Sequence, residues 1–305
     1  MYKYSPLQHV SEIRLLRFRS PLQNPNLTVT ISHVRLDQHP SYRALSYTWG
    51  DVTTTRTVEC NDGEGYIFIT STCELALRSL YRDDTQTPIW IDSVCINQNN
   101  TSERNQQLLL MSDIYRLASK VQVYLGEEDE SSALGMDYFR DPQKFSIQPE
   151  EQRVGFLSVS SIAIETQQAV NRILSRAWFE RIWILQEVLV SSCVEVLCGD
   201  KKVTWSDLTF ALIAWGGRNR LFLKEGVKEP SVLFRFVEKR DRGDSLEILL
   251  RYMHESRNSK STDPRDRIYA LLGVAADAAA GCLPFRPDQP SGDKVIHMLR
   301  SMLVP

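Results

Sequence analysis

Glu187 falls between Gln186 and Val188 in the otherwise apolar run Ile182-Trp183-Ile184-Leu185-Gln186-Glu187-Val188-Leu189. Burying a carboxylate there costs several kcal/mol unless it is paired or protonated. Helical spacing puts Trp183 one turn earlier on the same face, so an indole and a carboxylate would be presented together. Such a pair would set an aromatic face beside a negative charge. The alternative is a structural ion pair between Glu187 and Arg181, Arg176 or Arg104, since such networks also hold buried carboxylates.

A second cluster lies in Ile89-Trp90-Ile91-Asp92-Ser93-Val94-Cys95-Ile96-Asn97-Gln98. It begins as a short apolar run with the character of a buried strand, then places Asp92, Asn97 and Gln98 where that strand should end. In open α/β sheets, ligands bind in the crevice outside the carboxyl ends of the strands. Asp92 could equally cap the following loop by accepting backbone N–H groups. The third cluster, Ser46, Tyr47, Trp49, Gly50 and Asp51, ends another strand-like run; its aromatics could stack on a ligand or fill the core. Cys95 as a nucleophile is a further reading, with no histidine near it in sequence. Phosphate-loop, dinucleotide-fold and His-Glu-x-x-His motifs are absent, which removes ordinary nucleoside-triphosphate hydrolysis, Rossmann redox chemistry and zinc proteolysis from the front rank.

The elements that must position these groups follow from periodicity. Two strands flank Pro21 and Pro25, and a third runs through Tyr42 to Tyr47. A hairpin turns at Asn61-Asp62-Gly63. Ser71-x-x-Glu74 reads as the capping box of a helix, and Asn100 with Glu103 as the cap of another whose core face carries Leu108, Met111, Tyr115 and Ala118. Strands follow at Val121 to Gly126 and Val194 to Gly199. Glu127 to Arg153 reads as a surface insertion with at most a short helical turn. Trp178 to Leu189 reads as one amphipathic helix. Helices are also expected at Trp205 to Trp215, Ser231 to Lys239, Ser245 to His254, Asp266 to Leu272 and Asp293 to Leu303, with a loop around Ala275 to Pro290. The alternation of strands and helices predicts an α/β fold, a mostly parallel sheet flanked by helices, with N-terminal strands and added C-terminal helices. The expected organisation is one domain over residues 1–305, with a core at about 40–200 and a helical extension at about 201–305. The helical pattern at the end of the chain suggests one domain of a longer protein.

Lysine and arginine number 36 against 38 aspartate and glutamate, so no basic excess points to nucleic acid. Six cysteines lack Cys-x-x-Cys spacing and the five histidines lack metal-ligand spacing, so no metal is expected. No apolar run approaches the roughly 20 residues of a membrane span. A reduced, cytoplasmic protein is the expectation.

Four blocks in order carry a resemblance: Tyr42-Arg43-Ala44-Leu45-Ser46-Tyr47-Thr48-Trp49-Gly50; Trp90 to Gln98 with Glu103-Arg104 and Met111 to Tyr115; Arg181-Ile182-Trp183-Ile184-Leu185-Gln186-Glu187; and Asp263-Pro264-Arg265-Asp266-Arg267-Ile268-Tyr269-Ala270-Leu271-Leu272-Gly273. Together they resemble the fungal heterokaryon incompatibility (HET) domain. The resemblance implies a cell-death effector in fungal self/non-self recognition, active as a homo-oligomer. It also implies a core like that of Toll/interleukin-1 receptor (TIR) domains, of flavodoxin-like character, to which HET domains have been proposed to be distantly related. Some TIR domains cleave NAD with a glutamate that follows a tryptophan by four residues, the spacing of Trp183 and Glu187. On that reading NAD is a substrate and not a cofactor. Glu187 is the catalytic group, and Ser46, Tyr47, Trp49, Gly50, Asp51, Asp92, Asn97, Gln98, Arg181 and Trp183 bind substrate. The competing expectation is a non-catalytic, self-assembling signalling module in which the same tryptophans are core and interface.

Overall fold

Apolar residues alternating with polar ones produce the first two strands, β1 (Glu12–Phe18) and β2 (Leu27–Arg35), paired antiparallel from Glu12 opposite Arg35 to Phe18 opposite Val29. The computed structural model describes residues 1–19, 27–147, 161–219, 252–254, 256, 259–261 and 265–279. The expected helices at Ser231 to Lys239 and Asp293 to Leu303 lie outside the described residues, as does most of Ser245 to His254.

β3 (Arg43–Tyr47) is buried at every position, which fits a strand covered on both faces. The hairpin β4 (Thr55–Cys60) and β5 (Gly65–Thr70) turns at Asn61 to Gly63. Helix α1 (Ser71–Asp83) leads to β6 (Ile89–Trp90), and α2 (Asp92–Cys95) follows directly. Helix α3 (Thr101–Leu117) delivers the chain to β7 (Lys120–Tyr124), and α4 (Glu130–Arg140) follows. The short pair β8 (Ser146–Ile147) and β9 (Ser161–Ile162), helix α5 (Ile164–Leu174) and helix α6 (Ile184–Leu189) precede β10 (Val194–Cys198) and β11 (Lys201–Thr204). Helix α7 (Trp205–Asn219) and a later helix, α8 (Asp266–Ala279), complete the described elements.

Nine strands form one mixed sheet in the order β11-β10-β7-β3-β6-β1-β2-β4-β5. The inner run β10, β7, β3 and β6 is parallel, as expected for strands joined through helices. From β3 the chain moves to β6 on one side, and from β6 it crosses to β7 on the other. The strand order therefore reverses at β3, and the tips of β3 and β6 open a crevice of the kind where α/β proteins place ligands.

Four local expectations are corrected. The cap of α1 is Thr70, whose hydroxyl accepts the Cys73 N–H at 3.2 Å, one residue before the anticipated Ser71. The segment expected as a surface insertion from Glu127 to Arg153 holds a full helix over Glu130–Arg140, while residues 148–153 lie outside the described residues. Asp129 and Ser132 make a reciprocal capping box for α4, and Met136, Tyr138 and Phe139 are fully buried. Gly135 lets α4 approach α5 closely, because a Cβ there would come 2.5 Å from Ile173 Cδ1 and 3.1 Å from Ala169 O. The run from Trp178 to Leu189 is broken: a 3-10 turn, Ala177–Glu180, gives way to an extended Arg181, and α6 begins only at Ile184. The break has a partner, since Ile182 N–H bonds Lys260 O at 3.0 Å and Lys260 N–H bonds Glu180 O at 2.6 Å. The expected loop from Ala275 is helical as far as Ala279.

A buried ion pair fixes the β6–α3 connection. Arg14 on β1, wholly buried, donates to Glu103 on α3 at 2.6 and 3.1 Å and to Cys95 O at 3.1 Å. Glu103 Oε1 also accepts the Asn97 N–H at 2.8 Å. The segment carrying Asp92 to Gln98 is thus tied to the sheet from behind.

Candidate functional site

At the tips of β3 and β6 the chain leaves a cleft of about 810 Å³. Thr48, Trp49, Gly50 and Val52 come from the end of β3, and Asp92 and Gln98 from the end of β6. Arg104, Asn105, Leu108 and Leu109 form the α3 wall, Arg181 and Trp183 the broken segment before α6, and Lys260, Ser261, Arg265, Asp266 and Tyr269 the far wall. Helix α8 reaches this wall by packing on α6 and α3.

Asp92 opens α2 and faces the cleft half-buried. Its Oδ2 accepts the Trp49 indole N–H at 2.8 Å, and its Oδ1 the Ser93 N–H at 2.7 Å. Burial still outweighs these bonds and pushes the carboxyl up to about 6, with the Glu187 charge adding to the rise. Trp49 is 36% exposed, so its ring stays open to a ligand while its N–H is fixed. Gln98 donates to Asp92 O at 2.9 Å and closes the same turn. Gly50 adopts φ 70°, in the left-handed region, and turns the chain away from the strand tip.

Glu187 does not line the cleft. It is 1% exposed, and both of its oxygens are engaged. Arg181 donates Nη1 to Oε2 at 3.1 Å and Nη2 to Oε1 at 3.0 Å, and the Ser46 hydroxyl donates to Oε2. Ser46 in turn accepts the Trp178 indole N–H at 2.7 Å. A line of donors, Trp178 to Ser46 to Glu187, thereby backs Arg181, and it is the guanidinium that faces the cleft. The structural ion pair anticipated as an alternative is formed, with Arg181 as its cation. Trp183 and Glu187 do not present together. Trp183 caps α6 and lines the cleft while the Glu187 side chain turns to β3.

The other anticipated residues divide. Ser46 is 1% exposed and Tyr47 2%, and Tyr47 gives its hydroxyl to Ser93 at 2.9 Å, so these two support the wall from behind. Tyr47 is not placed to stack on a ligand, because Leu45 and Tyr47 lie within a strand covered on both faces. Asp51 is exposed and accepts from Thr53 and Thr54, shaping the loop that follows. Asn97 accepts the Asn99 N–H through its side chain and lies outside the cleft lining. Cys95 is 1% exposed and burial pushes its thiol up to about 12, the reverse of what a nucleophile needs. The residues of α3 and of Lys260 to Tyr269 that line the cleft were not anticipated. Arg265, Asp266 and Tyr269 stand in the fourth sequence block, so their membership of one motif was the available signal.

A parallel-centred α/β sheet with a ligand-sized cleft at its strand tips defines the class of protein. The family model "Heterokaryon incompatibility protein (HET)" matches residues 42–187, the segment that supplies β3, β6, the broken segment and Glu187. The chain is 31% identical to Heterokaryon incompatibility protein 6, OR allele, of Neurospora crassa over 305 aligned residues, 82% of this chain and 45% of that protein. Residues 42–187 belong to the HET family. The chain spans less than half the length of that relative, and no solved structure matches it. Among the described residues no helix is long and apolar enough to cross a membrane.

Proposed function

We propose that this chain acts in fungal heterokaryon incompatibility as a cell-death effector, and that it does so by cleaving the N-glycosidic bond of a nucleotide, NAD being the one its likeness to TIR domains implies. The observation that carries the reading is the pairing, on one cleft wall, of an exposed indole with a carboxylate whose proton affinity is raised: Trp49 and Asp92, 2.8 Å apart. The indoles of Trp49 and Trp183 offer ring faces for a base or a pyridinium. Asp92 is the carboxylate that reaches the ligand, and Glu187 is a positioning residue that acts through Arg181.

In this mechanism the bond between C1′ of the ribose and the pyridinium nitrogen breaks, and its electron pair leaves with the now neutral nicotinamide. Asp92, ionised, stabilises the oxocarbenium-like charge on the ribose, and water adds to C1′ and gives up its proton to Asp92 or solvent. Products are nicotinamide and ADP-ribose.

Purified chain, monomeric and concentrated, is incubated with NAD and released nicotinamide is quantified. Release by the wild type, reduced at least ~100-fold by Asp92→Asn as expected for loss of an acid–base group, supports the proposal. No release in any assembly state, or equal release by Asp92→Asn, overturns it. The competing reading, a self-assembling module without chemistry, is favoured by the outermost strand β5. It exposes Tyr66 and Phe68, 42% and 48%, stacked edge to face at 5.2 Å. Assembly and cell killing retained by Asp92→Asn would select that reading.

A further inference from the structure

We infer that the cleft holds a phosphate subsite, built by Arg104 and Arg181 with Lys260 and Arg265 opposite, so that its ligand is a phosphorylated nucleotide and not a nucleoside. The inference rests on the nucleotide reading above and names the residues that hold the ligand's phosphates, which that reading leaves unassigned. All four cations line the one cleft, against two carboxylates, Asp92 and Asp266, in a chain whose formal net charge is −2. The concentration of cations there does not follow from composition.

Arg104 is the most informative of the four. It stands in the first turn of α3, where the positive end of the helix dipole disfavours a cation and favours an anion. Its side chain is exposed and has no hydrogen bond or ion pair among the described residues, so no local interaction offsets that placement. A bound phosphate would meet the guanidinium and the helix terminus together. Arg181 adds a pre-set donor. Glu187 takes one N–H from each of Nη1 and Nη2 and leaves the rest of the five guanidinium donors without a claim from that carboxylate. The fork therefore needs no reordering when an anion arrives, which is the condition for firm and oriented phosphate binding. Lys260 is held by Glu180 at 2.7 Å, and the backbone of Lys260 is itself bonded to the broken segment that carries Arg181. The two cationic walls are thus one connected unit.

The test is calorimetric titration of the full chain with ADP, AMP, adenosine and inorganic pyrophosphate at two salt concentrations, repeated with Arg104→Glu and Arg104→Lys. The expected results are ADP binding at least ~10-fold tighter than adenosine, an ADP affinity that weakens as salt screens the cations, and loss of at least ~10-fold in ADP affinity with Arg104→Glu. Arg104→Lys should recover most of it, and the melting temperature should not fall in either variant, because the side chain is exposed and an acid suits the first turn of a helix. Adenosine binding as tightly as ADP, no binding of ADP or pyrophosphate, or an unchanged ADP affinity in Arg104→Glu overturns the subsite. The two proposals fail separately. ADP binding through Arg104 with no nicotinamide release removes the reaction and leaves the subsite, whereas NAD cleavage indifferent to Arg104→Glu removes the subsite and leaves the reaction.

Discussion

Arg181 stands between Glu187 and the cleft, joined to the carboxylate by two bonds of 3.0 and 3.1 Å, with its side chain 21% exposed against 2% for the acid. The acid is spent on the arginine's orientation. Removing one partner of such a pair leaves a buried charge without compensation, at a typical cost of 3–5 kcal/mol. Glu187→Gln should therefore lower stability by about 3 kcal/mol, while the double variant Glu187→Gln with Arg181→Met should recover part of that loss by removing the stranded guanidinium. Denaturant unfolding of the wild type, Glu187→Gln, Arg181→Met and the double variant gives the coupling directly. Additive losses would mean that the two side chains do not act as a pair.

Asp92 makes a prediction about pH. Its carboxyl is raised from the ordinary 3.8 to about 6 by burial, so between those values the folded chain holds a proton that the unfolded chain has released. The stability this supplies is complete below pH 3.8 and is lost as pH rises through about 6. Melting temperatures of wild type and Asp92→Asn, measured from pH 4 to 7, should differ by an amount that changes across that window, with the wild type losing ground as pH rises. Carboxylates common to both proteins cancel in the difference. A difference that stays constant with pH would show that Asp92 titrates as an exposed acid does.

The sheet and its parallel centre were legible because β3, β7 and β10 are short apolar runs between helical patterns, and burial on both faces leaves that mark in sequence. The cap at Asn100 was legible for the same local reason. What periodicity could not reveal was the break at Arg181. Trp178 to Leu189 has helical spacing throughout, yet a distant strand-like contact from Lys260 takes the Ile182 N–H and holds the segment extended. The tertiary bond overrides the local preference and decides that Arg181, not Glu187, meets the cleft. Helix α4 was missed because its acidic start and flanking Pro142 imitate a loop, while the residues that bury it, Met136, Tyr138 and Phe139, make a short apolar cluster. The cleft's far wall joins groups more than 150 positions apart in sequence from Asp92, a separation that no spacing rule bridges.

Gly50 carries the turn that aims Trp49 at Asp92, and the geometry around it yields a graded prediction. Its φ is 70°, and a Cβ placed there would lie 2.3 Å from Thr72 Oγ1 and 3.2 Å from Thr72 Cβ. Gly50→Ala therefore meets two costs, a left-handed backbone of about 1–2 kcal/mol for a residue with a side chain and a steric clash with α1. Removing the clash with Thr72→Ala in the same chain should restore some stability but not all, because the backbone cost remains. Relief of the turn by rotation would also part the Trp49 indole from Asp92. Burial raises the Asp92 carboxyl and the Trp49 N–H bond lowers it, so a movement that changes both should displace the pH window of the melting difference in Gly50→Ala. Chemical unfolding supplies the graded stabilities, and tryptophan fluorescence followed from pH 4 to 7 reports the Trp49–Asp92 contact. Full recovery in the double variant would place the whole cost in the clash and none in the backbone.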